Sequence, residues 1–372
     1  MKKQHFYNPV EVVISGAAGA FPECKSIPEF EDALFNKTDL VTCDDRKWKQ
    51  SKSLSGPLIS KFDALFFKVP FSSPTTMDPI AKKCLETSVE AIIDAGVNPK
   101  SLAGTRTAVY AIFDFSEFEM SVVDSQSQRA LLGIARTFAA NRLSFTLNLK
   151  GWLHVFCKIE DELINWTYFY QTDLCAGEKY GVCIYAITKL PKNGILMFSA
   201  HGYSRSESCV AFFLQRAPEA RRNYVTVIGA EYRFFGTKEG NVLALDGGPA
   251  KEMLRQLYSK WNVDPADVGY IEADGCGIKV SDRDAKEVDI LSDVFCRKRR
   301  KPLLIGSVKS NMGHAEAAAC AVGAVKAIIA LKNTKIPPNI NISSPIPENK
   351  RKLWKFNNKS YNLIPVSRMG YL

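Results

Sequence analysis

The sequence lacks the features that mark secreted, membrane-spanning and zinc-binding proteins. No window approaches the roughly 18 consecutive apolar residues of a transmembrane helix, and Met1–Pro9 lacks the apolar run of a signal peptide. The 10 cysteines are scattered, with no CxxC pair and no zinc-ligand spacing. A reducing cytosol is the default without an export signal. We therefore predict a cytoplasmic chain with free thiols, no metal, no cofactor and no membrane association.

The sequence has fewer acidic than basic residues, and this excess of positive charge limits the classes of partner that it could bind. The 49 lysines and arginines outnumber the 39 aspartates and glutamates, which gives a net charge of +10. The surplus is spread along the chain apart from Arg297–Lys301, a run that is typical of a solvated loop and only rarely of an anion-binding patch. Aromatic residues do not alternate with the basic ones, so nucleic-acid binding has little support. A basic surface is compatible with an acidic carrier protein.

The length and composition indicate an α/β protein with a large core. The chain has 372 residues, of which 46% are hydrophobic. The succession of strand, turn and apolar helix occurs twice, at 153–174 and at 302–332, which indicates two related halves. We assign residues 1–246 and 247–372 to these halves and predict a hinge at Gly247–Pro249. No low-complexity linker separates the halves, so we expect them to share one core.

The stretch Pro302–Lys332 is the most informative part of the chain. It predicts a strand at Leu303–Gly306, a polar turn at Ser307–Gly313, and a helix of small and aliphatic residues that begins at His314. A helix that is apolar nearly all round is buried on most sides, and its N-terminal N–H groups and positive dipole end face the turn. Lys309 and His314 lie at this spot, which favours a functional site. The alternative is a capped helix in which His314 is a satisfied core histidine.

Hydrophobic periodicity and helix start and stop signals predict the other elements. The predicted strands are Glu11–Ser15, Arg106–Phe113, Leu153–Phe156, Gly181–Ile187, Cys209–Gln215, Tyr224–Glu231 and Val268–Ala273. The predicted helices are Pro28–Phe35, Asp78–Ala95, Gln128–Ala140, Leu163–Leu174, Lys251–Trp261 and Arg283–Phe295. We expect Asn141–Leu147 to lead into the next strand, and Lys335–Ile342 to form a loop or an edge strand.

Several segments resemble the motifs of β-ketoacyl synthases. Gly306–His314 (GSVKSNMGH) looks like the lysine–histidine motif of that family, and Tyr270–Asp282 (YIEADGCGIKVSD) resembles its histidine motif, usually EAHGTGTxxGD. The segments similar to the ketosynthase domain of animal fatty acid synthase in particular are Asp44–Trp48, Lys61–Phe67 and Ala140–Gly151. The similarity runs from about Val10 to Ser367. It implies a thiolase-like fold, with two related halves in an α-β-α-β-α layered arrangement.

The resemblance also implies a reaction, a decarboxylative condensation of acyl and malonyl thioesters. In the family a cysteine at a helix N-terminus takes an acyl group from acyl carrier protein, and two histidines stabilise the enolate that attacks it. Carried over one residue at a time, the family's lysine falls on Lys309 and its second histidine on His314. The first histidine falls on Asp274, and the nucleophile, counted from the flanking glycines, falls on Glu160. Two of the three catalytic groups are therefore replaced by carboxylates.

Other parts of the chain also depart from the family pattern. The segment between Ala186 and Gly202 is much shorter than in the family, and Gly202–Ser208 keeps the GYxRxE pattern without its final glycine. The sequence stops at Leu372, before the family's GFGGxN loop and last strands. We therefore expect the C-terminal strands of the second sheet to be missing.

Other side chains could supply the missing chemistry. Cys157 lies three residues before Glu160, and Cys276 follows Asp274 in the same turn. We interpret both cysteines as structural rather than as displaced nucleophiles. Glu160 and Asp274 could form a carboxylate pair for acid–base work, because two carboxylates in one cleft push one pKa up. A neutralising cluster that includes Lys309 is the interpretation we favour.

Three functions are compatible with this pattern. The first is a ketosynthase-like pseudoenzyme without condensing activity, retained for the assembly or regulation of fatty acid or polyketide synthesis. The second is an enzyme of altered chemistry, a malonyl decarboxylase or a thioester hydrolase. The third is a purely structural or storage protein, or the non-functional product of a decaying gene. The expected partners are an acyl carrier protein or an acyl or malonyl thioester, and a second ketosynthase-type chain. That chain would form a homodimer or heterodimer through Leu153–Phe156.

Overall fold

A computed structural model describes residues 11–41, 62–69, 77–113, 136–157, 178–187, 204, 206–230, 247–276, 283–299, 301–341, 354–356, 361–362 and 368–371. Its first sheet has six strands, in the order β3-β2-β4-β5-β1-β6. These strands are β1 (Val12–Ala20), β2 (Thr107–Phe113), β3 (Leu153–Cys157), β4 (Tyr180–Ile187), β5 (Ser208–Arg216) and β6 (Val225–Val227). β2 is parallel to β3 and β4, whereas β5 is antiparallel to β4 and β1. Every residue of β2 is buried, because helices cover both faces of the sheet, and this explains its continuous apolar sequence.

The second sheet is parallel and has four described strands, in the order β10-β8-β7-β12. These strands are β7 (Val268–Glu272), β8 (Leu303–Gly306), β10 (Trp354–Phe356) and β12 (Arg368–Tyr371). A separate antiparallel pair joins β9 (Lys335–Ile336) to β11 (Tyr361–Asn362). The C-terminal segment thus contributes β10 and β12 to the second sheet. Whether further strands are missing stays a prediction.

Seven α-helices lie in the described ranges. They are α1 (Ile27–Phe35), α2 (Pro79–Asp94), α3 (Arg136–Leu147), α4 (Gly247–Lys260), α5 (Arg283–Phe295), α6 (Lys309–Met312) and α7 (Ala319–Lys332). α2 and α3 pack on one face of the first sheet, and α1 and α7 pack on the other face. α7 also contacts β7 of the second sheet, whose far face is covered by α4 and α5. This succession is the α-β-α-β-α arrangement that the resemblance implied, with α7 in the central layer.

α7 is buried because two sheets enclose it. Nine of its 14 residues are buried, and its alanines allow the strands on both sides to come close. Each fully buried aliphatic side chain contributes about 1.5–3 kcal/mol to the stability of such a core. The same close packing appears where α2 crosses β1. There a side chain at Gly16 would place its Cβ 2.0 Å from the carbonyl oxygen of Ala91.

Several predicted elements need correction. Gly247–Pro249 form the first turn of α4 rather than a loop, and their role as a hinge stays a prediction. Asn141–Leu147 belongs to α3, which begins at Arg136 and continues past the predicted end at Ala140. The first strand continues beyond Ser15 to Ala20, since a register shift at Gly16 keeps it paired with β5. The predicted helix Leu163–Leu174 lies outside the described residues, and the boundary between the two halves stays a prediction.

Among the described helices, none has the length and apolar character needed to cross a membrane. Within the same ranges, no group of three or more histidine, cysteine, aspartate or glutamate side chains could hold a metal ion.

Candidate active site

The candidate site lies at the carboxyl ends of two neighbouring parallel strands, β7 and β8. Glu272 is the last residue of β7 and pairs with Gly306, the last residue of β8. Because parallel strands end at the same edge of a sheet, the loops that follow them are adjacent. Asp274 lies on the first of these loops and Lys309 at the start of α6 after the second. The register of two strands thus brings together side chains that are 35 residues apart in the sequence.

Asp274 and Lys309 form an ion pair in this cleft. The ammonium group of Lys309 donates a hydrogen bond to Oδ1 of Asp274, and the guanidinium group of Arg283 lies 3.5 Å from Oδ2. Burial alone would raise the pKa of Asp274, but the charges of Lys309 and Arg283 hold that pKa below its ordinary value. Burial would likewise lower the pKa of Lys309, and the carboxylate of Asp274 raises it instead. Both groups are therefore charged at neutral pH.

The carboxylate of Glu287 holds the loop that carries Asp274. Its two oxygens accept the backbone N–H groups of Asp274, at 2.7 Å, and Gly275, at 2.9 Å. Gly275 has a φ of +49° and lies against the side chain of Ser307, whose hydroxyl donates to the carbonyl oxygen of Asp274. Burial, and then the negative charge of Asp274, raise the pKa of Glu287 to about 7. Glu287 is thus a positioning group whose charge changes near neutral pH.

The raised pKa of Glu287 predicts a specific pH dependence of stability. The pKa of Glu287 is raised from its ordinary value of 4.5 to about 7 in the folded protein. The contribution of Glu287 to the unfolding free energy is therefore complete below pH 4.5 and is lost as the pH rises through about 7. Between about pH 5 and pH 8, the wild type should lose about 2–3 kcal/mol more unfolding free energy than Glu287→Gln. Urea denaturation at a series of pH values measures this difference. The matched control is Glu252→Gln on the exposed face of α4, which should keep the wild-type slope. Parallel slopes for wild type and Glu287→Gln would contradict the assignment.

His314 is held in place by its own backbone. Its N–H donates to the carbonyl oxygen of Ser204 at 2.8 Å, and its carbonyl oxygen accepts the N–H of Ser206 at 2.9 Å. Gly313 ends α6 with a φ of +83°, and a Cβ at this glycine would lie 2.7 Å from the same Ser204 oxygen. The helix predicted to begin at His314 therefore begins only at Ala319, because His314 makes bridge-like pairs with residues 204 and 206 instead of helical ones.

The imidazole of His314 has a defined tautomer when it is neutral. Nδ1 accepts the backbone N–H of Glu316 at 2.9 Å, so the proton of the neutral ring lies on Nε2. A histidine in this state can donate one hydrogen bond to an oxygen that acquires negative charge. His314 also lies close enough to Asp274 to lower the pKa of that carboxyl group.

A buried charge network supports both loops of the site. Nζ of Lys326 in α7 lies 3.2 Å from Oε2 of Glu272 and donates to Oδ1 of Asn339 at 3.0 Å. The same Glu272 carboxylate accepts the hydroxyl of Tyr270 and the backbone N–H of Val308. Glu272 thereby ties the end of β7 to the residue that precedes Lys309.

The structure places three of the four predicted site residues. It joins Asp274 directly to Lys309 and brings His314 within electrostatic range, whereas Glu160 lies outside the described residues. The sulfur of Cys276 is buried and lies 3.4 Å from a carboxylate oxygen of Asp284. Its position agrees with a structural cysteine.

Sequence reasoning missed Arg283 and Glu287, both in the first half of α5. The signal for Glu287 was present in the sequence. It is an acidic residue three and four positions before Ile290 and Leu291, on the buried side of an amphipathic helix. A carboxylate on the apolar face of a helix needs a partner, and here the partner is the backbone of the Asp274 loop. No comparable signal existed for Arg283.

The five-layer fold and the site at the ends of β7 and β8 agree with the family matches of the sequence. The family described as beta-ketoacyl synthase, N-terminal domain, matches residues 10–156, and the family described as beta-ketoacyl synthase, C-terminal domain, matches residues 224–343. The chain belongs to the β-ketoacyl synthase family and has its thiolase-like fold.

The individual relatives to which the chain is similar are fatty acid and polyketide synthases. It is 34% identical over 350 residues to a fatty acid synthase sequence from the goose Anser anser anser, a match that covers 87% of this chain and 99% of that sequence. It is 31% identical over 313 residues to an erythronolide synthase of Saccharopolyspora erythraea, of which it spans 9%.

Solved structures show the same fold. A ketosynthase from module 1 of the bacillaene synthase of Bacillus amyloliquefaciens superposes with a TM-score of 0.82 at 22% identity, over 98% of this chain and 74% of that one. The ketosynthase from module 6 of the Bacillus subtilis bacillaene synthase gives a TM-score of 0.81 at 24% identity. That match covers 95% of this chain and 66% of the other.

Proposed function

We propose that this chain is a ketosynthase-like domain that does not catalyse condensation and serves the assembly or regulation of fatty acid or polyketide synthesis. The observation that carries the proposal is the ion pair between Asp274 and Lys309 at the position of the family's first histidine. An ionised carboxylate only accepts hydrogen bonds, so it cannot donate one to the enolate oxygen that forms when a malonyl thioester loses carbon dioxide. Loss of one such donor typically costs about 10²–10³ in rate.

The remaining site residues support the same conclusion. His314 keeps a donor on Nε2 in its neutral form, but it is the only histidine left of the family's pair. Lys309 is engaged with Asp274, and its side chain is only 9% exposed. The family's nucleophile position holds Glu160, whose carboxylate cannot form the thioester that a cysteine forms.

The edge of the first sheet supports a role in assembly. β3 is an outer strand among the described strands, next to β2 alone. Trp152 and Leu153 at its start are 55% and 40% exposed, and Phe145 on the adjoining α3 is exposed as well. Exposed apolar side chains beside an unpaired strand edge favour pairing with another chain. We propose that a second ketosynthase-type chain pairs here, in a homodimer or a heterodimer, and that an acyl carrier protein delivers any thioester.

A condensation assay tests the proposal. The full chain is incubated with radiolabelled acyl-carrier protein and malonyl-carrier protein, beside an active ketosynthase as a positive control. We expect no β-ketoacyl product above the buffer blank and no label that depends on Glu160. A β-ketoacyl product, or a stable label lost on Glu160→Ala, would overturn the proposal. Acetyl-carrier protein formed from malonyl-carrier protein alone would support the alternative, a decarboxylase.

A further inference from the structure

Cys84 and Cys209 form a pair of thiols between α2 and β5. They are 125 residues apart in the sequence, yet their sulfur atoms lie 3.8 Å from each other. Both are free cysteines, and both belong to the apolar core on the face of the first sheet that α2 covers. Two sulfurs at this distance need to approach by only roughly 1.8 Å to reach the length of a disulfide bond.

The surroundings of the pair make the two thiols unequal. The hydroxyl of Thr87, three residues after Cys84 on α2, lies 3.6 Å from the sulfur of Cys209. Hydrogen bonding by Cys84, and also by Thr87, lowers the pKa of Cys209 against the effect of burial. Burial, and then the hydrogen bond with Cys209, raise the pKa of Cys84 well above its ordinary value. When one of the two loses its proton it is therefore Cys209, and the thiolate is the form that an oxidant attacks.

Cys209 is also the more exposed member of the pair. It is the second residue of β5 and keeps 6% of its surface, whereas Cys84 keeps 1%. An opening of this size does not admit a bulky disulfide such as oxidised glutathione, but hydrogen peroxide is close to water in size. The geometry therefore selects a small peroxide as the oxidant and Cys209 as the sulfur that reacts first.

We propose that Cys84 and Cys209 are a redox-active pair, which hydrogen peroxide converts into a disulfide between α2 and β5. The sulfur of Cys209 attacks one peroxide oxygen, the O–O bond breaks, and the departing hydroxide takes up the thiol proton of Cys209 to give water. The sulfur of Cys84 then attacks the sulfenic sulfur, the S–S bond forms, and the second hydroxide leaves with the proton of Cys84 as water. The pair thus loses two electrons, and the peroxide is reduced to two waters. A thiol reductant restores the pair, so the bond is transient in a reducing compartment.

Peptide mapping of the full chain after peroxide treatment tests the proposal. The folded protein is treated with hydrogen peroxide, the remaining thiols are blocked with N-ethylmaleimide in urea, and the chain is digested without reductant. We expect a linked pair of peptides that contains Cys84 and Cys209, lighter by two hydrogen atoms than the separate peptides and split by dithiothreitol. The proposal is overturned if both residues remain thiols, or if Cys209 ends as a sulfinic acid or joins another cysteine.

The matched control is Cys183→Ser on β4. Cys183 is also buried, on the strand next to β5, but it faces the other side of the sheet. This variant should form the link between Cys84 and Cys209 as the wild type does, whereas Cys209→Ser should leave Cys84 without a partner. A link that forms in urea but not in the folded protein would also overturn the proposal. The wild-type map decides the matter by itself, so a variant that fails to fold does not affect the outcome.

A further variant tests the role of Thr87. Thr87→Val keeps the shape of the side chain and removes a hydrogen-bond donor to the Cys209 thiolate, so the link should form at higher pH than in the wild type. An unchanged pH profile would contradict this role. The inference does not rest on the proposed function, because neither cysteine belongs to the candidate site. A β-ketoacyl product would overturn the proposed function and leave the disulfide untouched.

Discussion

Replacing Lys326 by methionine should destabilise the protein by about 3–5 kcal/mol, the usual cost of leaving one charge of a buried pair without its partner. Lys326 and Glu272 are both almost completely buried, and 3.2 Å separates their charged atoms. Burial lowers the pKa of Lys326 and Glu272 only partly offsets this, so the ammonium depends on the carboxylate. Methionine preserves most of the volume of the lysine side chain. The loss of unfolding free energy would therefore come from the missing charge rather than from changed packing. Urea denaturation at neutral pH measures it.

The double variant Lys326→Met/Glu272→Gln provides the control. Glutamine keeps an acceptor for Tyr270 and Val308 but carries no charge, so the double variant should be more stable than Lys326→Met alone. A double variant as unstable as the sum of the two single variants would show that packing, rather than the uncompensated carboxylate, causes the loss. The carboxylate of Glu272 also accepts the N–H of Val308. Lys326→Met should therefore loosen the beginning of α6, which carries Lys309.

Lys309→Met should destabilise the protein by about 2–3 kcal/mol at neutral pH, less than Lys326→Met because the Asp274 side chain is 25% exposed and keeps Arg283 as a partner. The pKa of Asp274 is below its ordinary value of 3.8 in the wild type, so its contribution to stability is present above that value and is lost as the pH falls. Without Lys309 this contribution shrinks. The difference between variant and wild type should therefore be larger at about pH 8 than at about pH 4.

A double-mutant cycle with Asp274→Asn completes this test. Asparagine removes the charge that Lys309 neutralises. The double variant Asp274→Asn/Lys309→Met should therefore lose less unfolding free energy than the sum of the losses in the two single variants. We expect a coupling energy of about 1–3 kcal/mol, measured by urea denaturation of the four proteins. Strict additivity would mean that the two side chains do not form the ion pair in solution.

The order of the elements could be predicted from the sequence to a large extent. The predicted helix Arg283–Phe295 matches α5, and the predicted strand Leu303–Gly306 matches β8, because each has a clear hydrophobic period and clear boundaries. The predicted start of the central helix at His314 was wrong by five residues. Alanine-rich sequence favours a helix from His314 onward, but the contacts of His314 with Ser204 and Ser206, more than 100 residues earlier, and the positive φ of Glu316 interrupt it.

Residues of the candidate site that belong to a family motif were predicted from the sequence, and residues outside these motifs were missed. The spacing of two motifs identified Lys309, His314 and Asp274, whereas Arg283, Glu287 and the residues that bind His314 were found only in the structure. Local sequence describes which residue type occupies a position. It does not describe which residue from another element will lie 3 Å away, and such contacts decide whether a buried carboxylate is charged.

The sequence by itself determined the family of this protein, and it predicts two substitutions in the family's active site, Glu160 and Asp274. These follow from residue identity and spacing, which need no coordinates. Only the tertiary structure decided what Asp274 does, because its ionisation depends on Lys309 and Arg283 and its position depends on Glu287. Charge and reactivity depend on distances between elements, and the fold sets those distances.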